Sequence, residues 1–153
     1  MKHQNSTPTH IHEATSIEHI RPCFQIVREL RPHVPDEASF INQVQRQMAV
    51  GYKLAYYQQG EKVHAVVGYR FLEFLAWGKV CYIDDLITDS TTRRQGYGST
   101  LLQWVIAQAK NAYCDQVHLD SGPQRHDAHR LYLNHGFKIV GHHFALELQN
   151  CSL

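Results

Sequence analysis

The order of hydrophobic and polar positions divides the chain into helical and extended stretches. Ile17, Ile20, Phe24, Val27 and Leu30 recur at steps of three and four behind Ser16, which predicts one helical face ended by Pro32 and Pro35. A second helix is predicted behind the cap residue Asp36, with Phe40, Ile41, Val44 and Met48 on its apolar side and Gly51 ending it. Residues 52–57 and 63–75 are rich in aromatic and β-branched residues, and the polar segment 58–62 between them reads as a hairpin turn. Trp77-Gly78-Lys79 makes a second turn into a strand over 80–88. The periodicity then changes back. Leu101, Leu102, Val105, Ile106 and Ala109 mark a helix, and Val117 and Leu119 alternate with His118 and Asp120 in a short strand. Ala128, Leu131, Tyr132 and His135 mark a last helix capped by Gly136, followed by an extended tail over 137–148. With a short strand at 11–14, the predicted order is β-α-α-β-β-β-α-β-α-β. That is an α+β fold, a mixed and mostly antiparallel sheet flanked by helices, with residues 1–10 a flexible N-terminus and 11–149 a single domain.

Composition narrows the function classes. The chain has 153 residues, a size that can bury a core, and its 43% hydrophobic and 19% charged residues are ordinary for a globular protein. A formal charge of +1 argues against a broad basic face, so no nucleic-acid partner is expected. No apolar run approaches the roughly 20 residues of a membrane span, and the polar N-terminus lacks a signal-peptide core. A cytoplasmic location with no membrane partner is therefore expected. The four cysteines, Cys23, Cys81, Cys114 and Cys151, form no C-x-x-C pair and read as reduced packing residues. The 12 histidines cluster late in the chain, at His126, His129, His135, His142 and His143. No metal site is expected from them, because a site needs several to converge and histidine is also a common surface and pocket residue.

The chemistry begins at Arg93-Arg94-Gln95-Gly96-Tyr97-Gly98, between a strand and a helix. The first N–H groups of a helix lack internal partners and the helix dipole adds positive character, which together favour an anion. Gly96 and Gly98 allow close approach to the backbone, and Arg93 and Arg94 add charge at the same mouth. Leu101 stands where a dinucleotide fingerprint needs its third glycine, and the Gly-Lys-Ser/Thr of a P-loop is missing.

What remains, R/Q-x-x-G-x-G, resembles motif A of the GNAT superfamily, whose loop clasps the pyrophosphate of coenzyme A. Ala128-His129-Arg130-Leu131-Tyr132-Leu133-Asn134-His135-Gly136-Phe137 is similar to that family's other signature, A-x-x-x-Y-x-x-x-G-F. The two motifs and the intervening strand stand in family order, over roughly residues 11–148. The resemblance implies the GNAT acyl-CoA N-acyltransferase fold and an acetyl-CoA-dependent N-acetyltransferase with an amine acceptor. It places the cofactor on Leu86, Ile87, Thr88, Arg93, Arg94, Gln95, Gly96, Tyr97, Gly98 and Ser99, with backbone groups of 86–88 pairing with the pantetheine arm and stabilising the oxyanion. Arg125 departs from the asparagine many members carry seven residues before the tyrosine. The segment 125–130 is instead similar to aminoalkylphosphonate N-acetyltransferases, which tilts the acceptor towards a small amine.

Acetyl transfer needs a neutral amine, oxyanion donors and a proton for the leaving thiolate. Tyr132 is the expected acid. Asp84, Asp85 and Asp120 are the candidate bases, with a water chain as the alternative. Adjacent acids in an apolar strand need a wet cavity or a partner, and alternation predicts that Asp84 and Asp85 point to opposite faces. By family position the face of Tyr82 and Asp84 looks towards the acetyl group. Tyr69, Phe71, Glu73, His142 and His143 are candidates around the acceptor. A homodimer stays open, since family acceptor pockets often draw on a partner subunit. The competing readings are a non-catalytic acyl-CoA sensor, a protein N-acetyltransferase and a histidine-rich metal-binding protein.

Overall fold

Among the described residues, five strands form one sheet in the order β1-β2-β3-β4-β5. They are β1 (Ile11–Glu13), β2 (Lys53–Gln59), β3 (Lys62–Phe74), β4 (Gly78–Thr88) and β5 (Gln116–Leu119). The first four pair antiparallel and β5 lies parallel to β4, so the sheet is mixed, as expected. The computed structural model describes residues 10–148, in two compact units: the chain up to Leu119, and the chain from Asp120 onward. Residues 1–9 and Cys151 lie outside the described range.

In the first unit the two sheet faces are covered differently. Tyr52, Leu54, Tyr56, Val66 and Ile87 face a cluster with Ile20, Phe24, Val27, Phe40, Ile41 and Val44. Those partners come from α1 (Ile17–Ile20), α2 (Phe24–Leu30) and α3 (Glu37–Met48). The opposite face carries α4 (Tyr97–Asn111), which buries Leu101, Leu102, Val105 and Ala109, while Trp104 meets the ring of Tyr69 edge-on.

Local chemistry sets the boundaries. The Asp36 carboxylate accepts the Ser39 N–H at 2.7 Å and caps α3. The first predicted helix is broken into α1 and α2 by a 3-10 turn over Arg21–Cys23, because Pro22 has no N–H to give and tightens the local winding. Gly60 turns the β2–β3 hairpin at φ +62° and Gly78 the β3–β4 connection at φ +70°. Beside that second turn, the Lys79 N–H donates to the Asp115 carboxylate and the Asp115 N–H to the Lys79 carbonyl, which fixes where β5 begins.

Two β-bulges interrupt the ladder. Tyr57 faces Ala65 and Gln58 faces Val63, leaving His64 without an opposite residue. Gly68 faces Asp85 and Tyr69 faces Ile83, leaving Asp84 likewise. An inserted residue re-aims side chains on its strand.

The second unit contains α5 (His126–Asn134), with Gly136 at φ +87° just after it. The final strand expected over 137–148 is not formed. Phe144, Leu146 and Leu148 do alternate, but a strand exists only with a hydrogen-bonding neighbour, and these described residues have none.

Candidate functional site

β4 outlasts its neighbour. The parallel ladder with β5 ends at the pair Ile83↔Leu119, whereas β4 continues to Thr88 with, among the described residues, only β3 beside it. Leu86 and Ile87 bury their side chains in the two faces of the sheet. Along this stretch the strand thus offers backbone rather than side chains at its β5 edge.

β4 leads directly into the arginine-glycine loop. The Asp89 N–H donates to the His64 carbonyl at 2.8 Å. Its carboxylate accepts the Thr91 N–H at 3.0 Å and pairs with Lys62 Nζ at 2.9 Å. Those two interactions, the backbone bond first, hold the carboxyl below its ordinary range. Glu29, from α2, accepts the Ser90 N–H and hydroxyl, each at 3.1 Å, and pairs with Arg93 at 3.4 Å. Arg94 is exposed at φ +67° and Gly96 reaches φ +83°, so the backbone turns left-handed twice before α4 starts at Tyr97. Gly96 is the N-cap and brings no side chain to the first turn of α4. Gln95 accepts the Tyr97 hydroxyl at 3.1 Å. Gly98 and Ser99 follow in the first turn, half-buried.

Asp84 and Asp85 do not part to opposite faces. The bulge at Asp84 breaks the alternation on which that expectation rests, and both carboxylates join one cluster. Asp85 accepts Arg31 Nε at 2.8 Å through one oxygen and the Tyr52 hydroxyl at 2.9 Å through the other. Asp84 accepts Arg70 Nε at 2.9 Å and its Nη2, and the Asp84 carbonyl takes Arg31 Nη2 at 3.0 Å. The Arg70 guanidinium lies over the Tyr52 ring at 5.5 Å, closing the cluster. Burial, and then the Asp85 charge, push the Tyr52 phenol well above its ordinary value.

The second unit holds the other expected residues. Tyr132 is buried on α5, with its ring centroid 5.9 Å from that of Phe137. Burial raises its phenol, with Arg125 acting the other way. Asp120 is exposed and lies 3.2 Å from His143 Nδ1. His129 Nε2 donates to the Gly122 carbonyl at 2.8 Å.

Of the acceptor candidates in the first unit, Tyr69 is an interior residue whose hydroxyl donates to Glu13 at 3.2 Å, and Glu73 is exposed. The sequence reading missed Arg31, Arg70 and Tyr52 as partners of the acids, and Glu29 and His64 as partners of the loop. Only His64 left a signal, as a histidine inside the apolar run Val63-His64-Ala65-Val66-Val67. Among the described residues, no three His, Cys, Asp or Glu side chains converge as a metal site would require. None of the described helices is long and apolar enough to cross a membrane.

A mixed five-stranded sheet with helices on both faces, whose fourth strand outruns a parallel fifth and feeds a glycine turn into a helix, defines an acyl-CoA N-acyltransferase fold. The sequence profile of the acetyltransferase (GNAT) family matches residues 15–137. The uncharacterized N-acetyltransferase YhdJ of Bacillus subtilis (strain 168) is 30% identical over 136 residues, covering 88% of this chain and 96% of that protein. The aminoalkylphosphonate N-acetyltransferase of Salmonella typhimurium is 38% identical over 56 residues, 37% of this chain and 36% of that one. The structure of AAC(6')-Iy in complex with the bisubstrate analog CoA-S-monomethyl-acetylneamine superposes with TM-score 0.75 at 13% identity, over 92% of this chain and 99% of that one. The chain belongs to the GNAT family of acetyltransferases. The family uses acetyl-CoA as its acyl donor.

Proposed function

We propose that this protein transfers the acetyl group of acetyl-CoA to the primary amine of a small molecule in the cytoplasm, by direct attack on the thioester. The observation that carries the reading is the run of β4 from Asp84 to Thr88 without a β5 partner, continuous with the Gly96 turn at the head of α4. An extended pantetheine arm can pair with Leu86, Ile87 and Thr88 as a further strand would, and a backbone N–H there can stabilise the oxyanion. The pyrophosphate suits the first turn of α4, with Arg93, Arg94, Gln95, Gly96, Tyr97, Gly98 and Ser99 around it. Acetyl-CoA supplies the acetyl group as a thioester. Tyr132 gives its proton to the departing sulfur, a role that fits a phenol kept protonated by burial. The engagement of all four carboxylate oxygens of Asp84 and Asp85 favours a base that works through water over direct contact with the amine. Asp120, exposed beside His143, is the remaining carboxylate for that task.

The short likeness to an aminoalkylphosphonate N-acetyltransferase supports a small acceptor over a protein one. The test is a panel of aminophosphonates, polyamines, simple amines and peptide N-termini, with release of free CoA thiol as the readout. Turnover with a small primary amine, together with thermal stabilisation by acetyl-CoA, is expected. Stabilisation without turnover on any amine would instead support the sensor reading. Turnover on peptide N-termini alone would overturn the small-molecule assignment.

A further inference from the structure

Apart from tyrosine hydroxyls and cysteine thiols, His64 is the one polar side chain that is buried among the described residues. Burying a polar ring is costly unless it finds partners, so its contacts indicate why it is there. It occupies the β3 bulge, without an opposite residue on β2. Its ring stacks on Tyr97 at 4.4 Å, the first residue of α4 after Gly96. Its Nδ1 lies 3.2 Å from the Thr92 hydroxyl, in the turn just before Arg93. Its carbonyl accepts the Asp89 N–H, where the chain leaves β4. One residue therefore touches the loop at its start, its middle and its end. Tyr57 backs the same arrangement, its ring centroid 4.9 Å from that of Tyr97.

We propose that His64 is a positioning residue for the pyrophosphate loop, holding residues 89–97 in the conformation that receives coenzyme A before it arrives. The proposal rests on the acetyl-CoA reading above. A bulge beside a binding loop is a means of aiming one side chain out of the strand pattern, and pre-ordering a loop removes an entropic cost from binding. The side chain acts through Tyr97 and Thr92 and needs no contact with the ligand.

Three variants separate the contacts. His64→Phe keeps a ring for Tyr97 and loses the Thr92 hydrogen bond, while His64→Asn keeps a hydrogen-bonding atom near Nδ1 and loses the ring. Thr92→Val removes the same hydrogen bond from the loop side, without touching the buried position. Calorimetric titration with coenzyme A should show roughly three- to ten-fold weaker binding for each, the range expected for one net hydrogen bond or a comparable contact. His64→Phe combined with Thr92→Val should bind about as well as the weaker single variant, because both delete one shared bond. That non-additivity is what a general loosening of the fold would not produce. Wild-type affinity in Thr92→Val and in a folded His64 variant, or full additivity in the double variant, would overturn the proposal. Should the wild-type protein itself not bind coenzyme A, the failure lies with the acetyl-CoA reading instead.

Discussion

Replacing Gly96 with alanine separates backbone strain from ligand contact. Gly96 sits at φ +83° as the N-cap of α4, and an added Cβ would meet no other atom within 4 Å. The cost to the apo protein is therefore conformational. A non-glycine residue in the left-handed region costs about 1–2 kcal/mol, and the stiffer unfolded chain returns about 0.4–1 kcal/mol. The net loss is about 1 kcal/mol, or about 2–4 °C in melting temperature for a chain of this size. Coenzyme A should feel more. If a phosphate approaches the first turn of α4, the strained turn or the new methyl displaces a charge-assisted hydrogen bond worth about 1.5–3 kcal/mol, weakening binding by about ten- to a hundred-fold. Gly51→Ala is the matched control, at φ +105° with equally open space, at the end of α3. Melting curves and calorimetric titration of both variants are the assay. Both should lose stability and only Gly96→Ala should lose coenzyme A. Equal binding losses, or none in Gly96→Ala, would refute the placement of the pyrophosphate.

Further outcomes follow from other positions. A Cβ on Gly68 would run into the Tyr52 ring and hydroxyl, so Gly68→Ala should destabilise by about 1–3 kcal/mol in denaturant unfolding, and by less in a Tyr52→Phe background, where the hydroxyl is gone. Tyr52→Phe alone removes a donor to the Asp85 carboxylate and should cost about 2 kcal/mol by the same measurement. Burial pushes the Cys23 thiol from 9.0 to about 12, so the folded protein keeps a proton that the unfolded chain gives up. Its stabilising share is complete below pH 9 and declines as pH rises towards 12, by about 1.4 kcal/mol per pH unit. Cys23→Ala should flatten the alkaline slope of unfolding free energy by about that amount, and an unchanged slope would count against the assignment. If Tyr132 protonates the leaving sulfur, Tyr132→Phe should lower kcat by about a hundred-fold or more. Because the phenol is raised, the wild-type rate should hold through the ordinary tyrosine range before falling, and the variant should show no such fall.

Much of this fold can be read from residues whose effects are local. Asp36 caps a helix three residues on, and Gly51, Gly60 and Gly78 mark turns that need positive φ, so helix and hairpin boundaries follow from neighbours in sequence. Pro22 was present too, but the apolar face of Ile17 to Leu30 continues across it, and periodicity alone hides the 3-10 turn. The tail fails for the opposite reason. Alternation at Phe144, Leu146 and Leu148 states a preference for extended structure, whereas strand formation depends on a neighbour that no local pattern specifies. The glycine turn into α4 was legible because its shape is set by a few consecutive residues. Its supports were not: Glu29 and His64 reach it across separations of 61 and 28 residues.

The two acids of β4 show why a motif can mark a site without assigning roles in it. A two-residue period sends adjacent side chains to opposite faces, and from that premise one of Asp84 and Asp85 should look at the acceptor while the other pairs elsewhere. The premise requires an unbroken pleat, and the bulge at Asp84 breaks it. Arg31 then closes on Asp85 from the end of α2, Arg70 on Asp84 from β3, and the Tyr52 hydroxyl reaches Asp85 through the space left by Gly68. With side chains only 15% exposed for Asp85 and 22% for Asp84, these pairs lie between the surface regime, where an ion pair is worth little, and the interior, where losing one partner strands a charge. Removal of either acid would therefore disturb the junction of α2, β2, β3 and β4 as well as any proton transfer. A loss of activity in such a variant identifies a base only if the pH profile of the rate changes shape while the fold persists. If either acid serves the proposed transfer, the engagement of its oxygens by arginine and tyrosine favours a proton carried by water over direct contact with the amine.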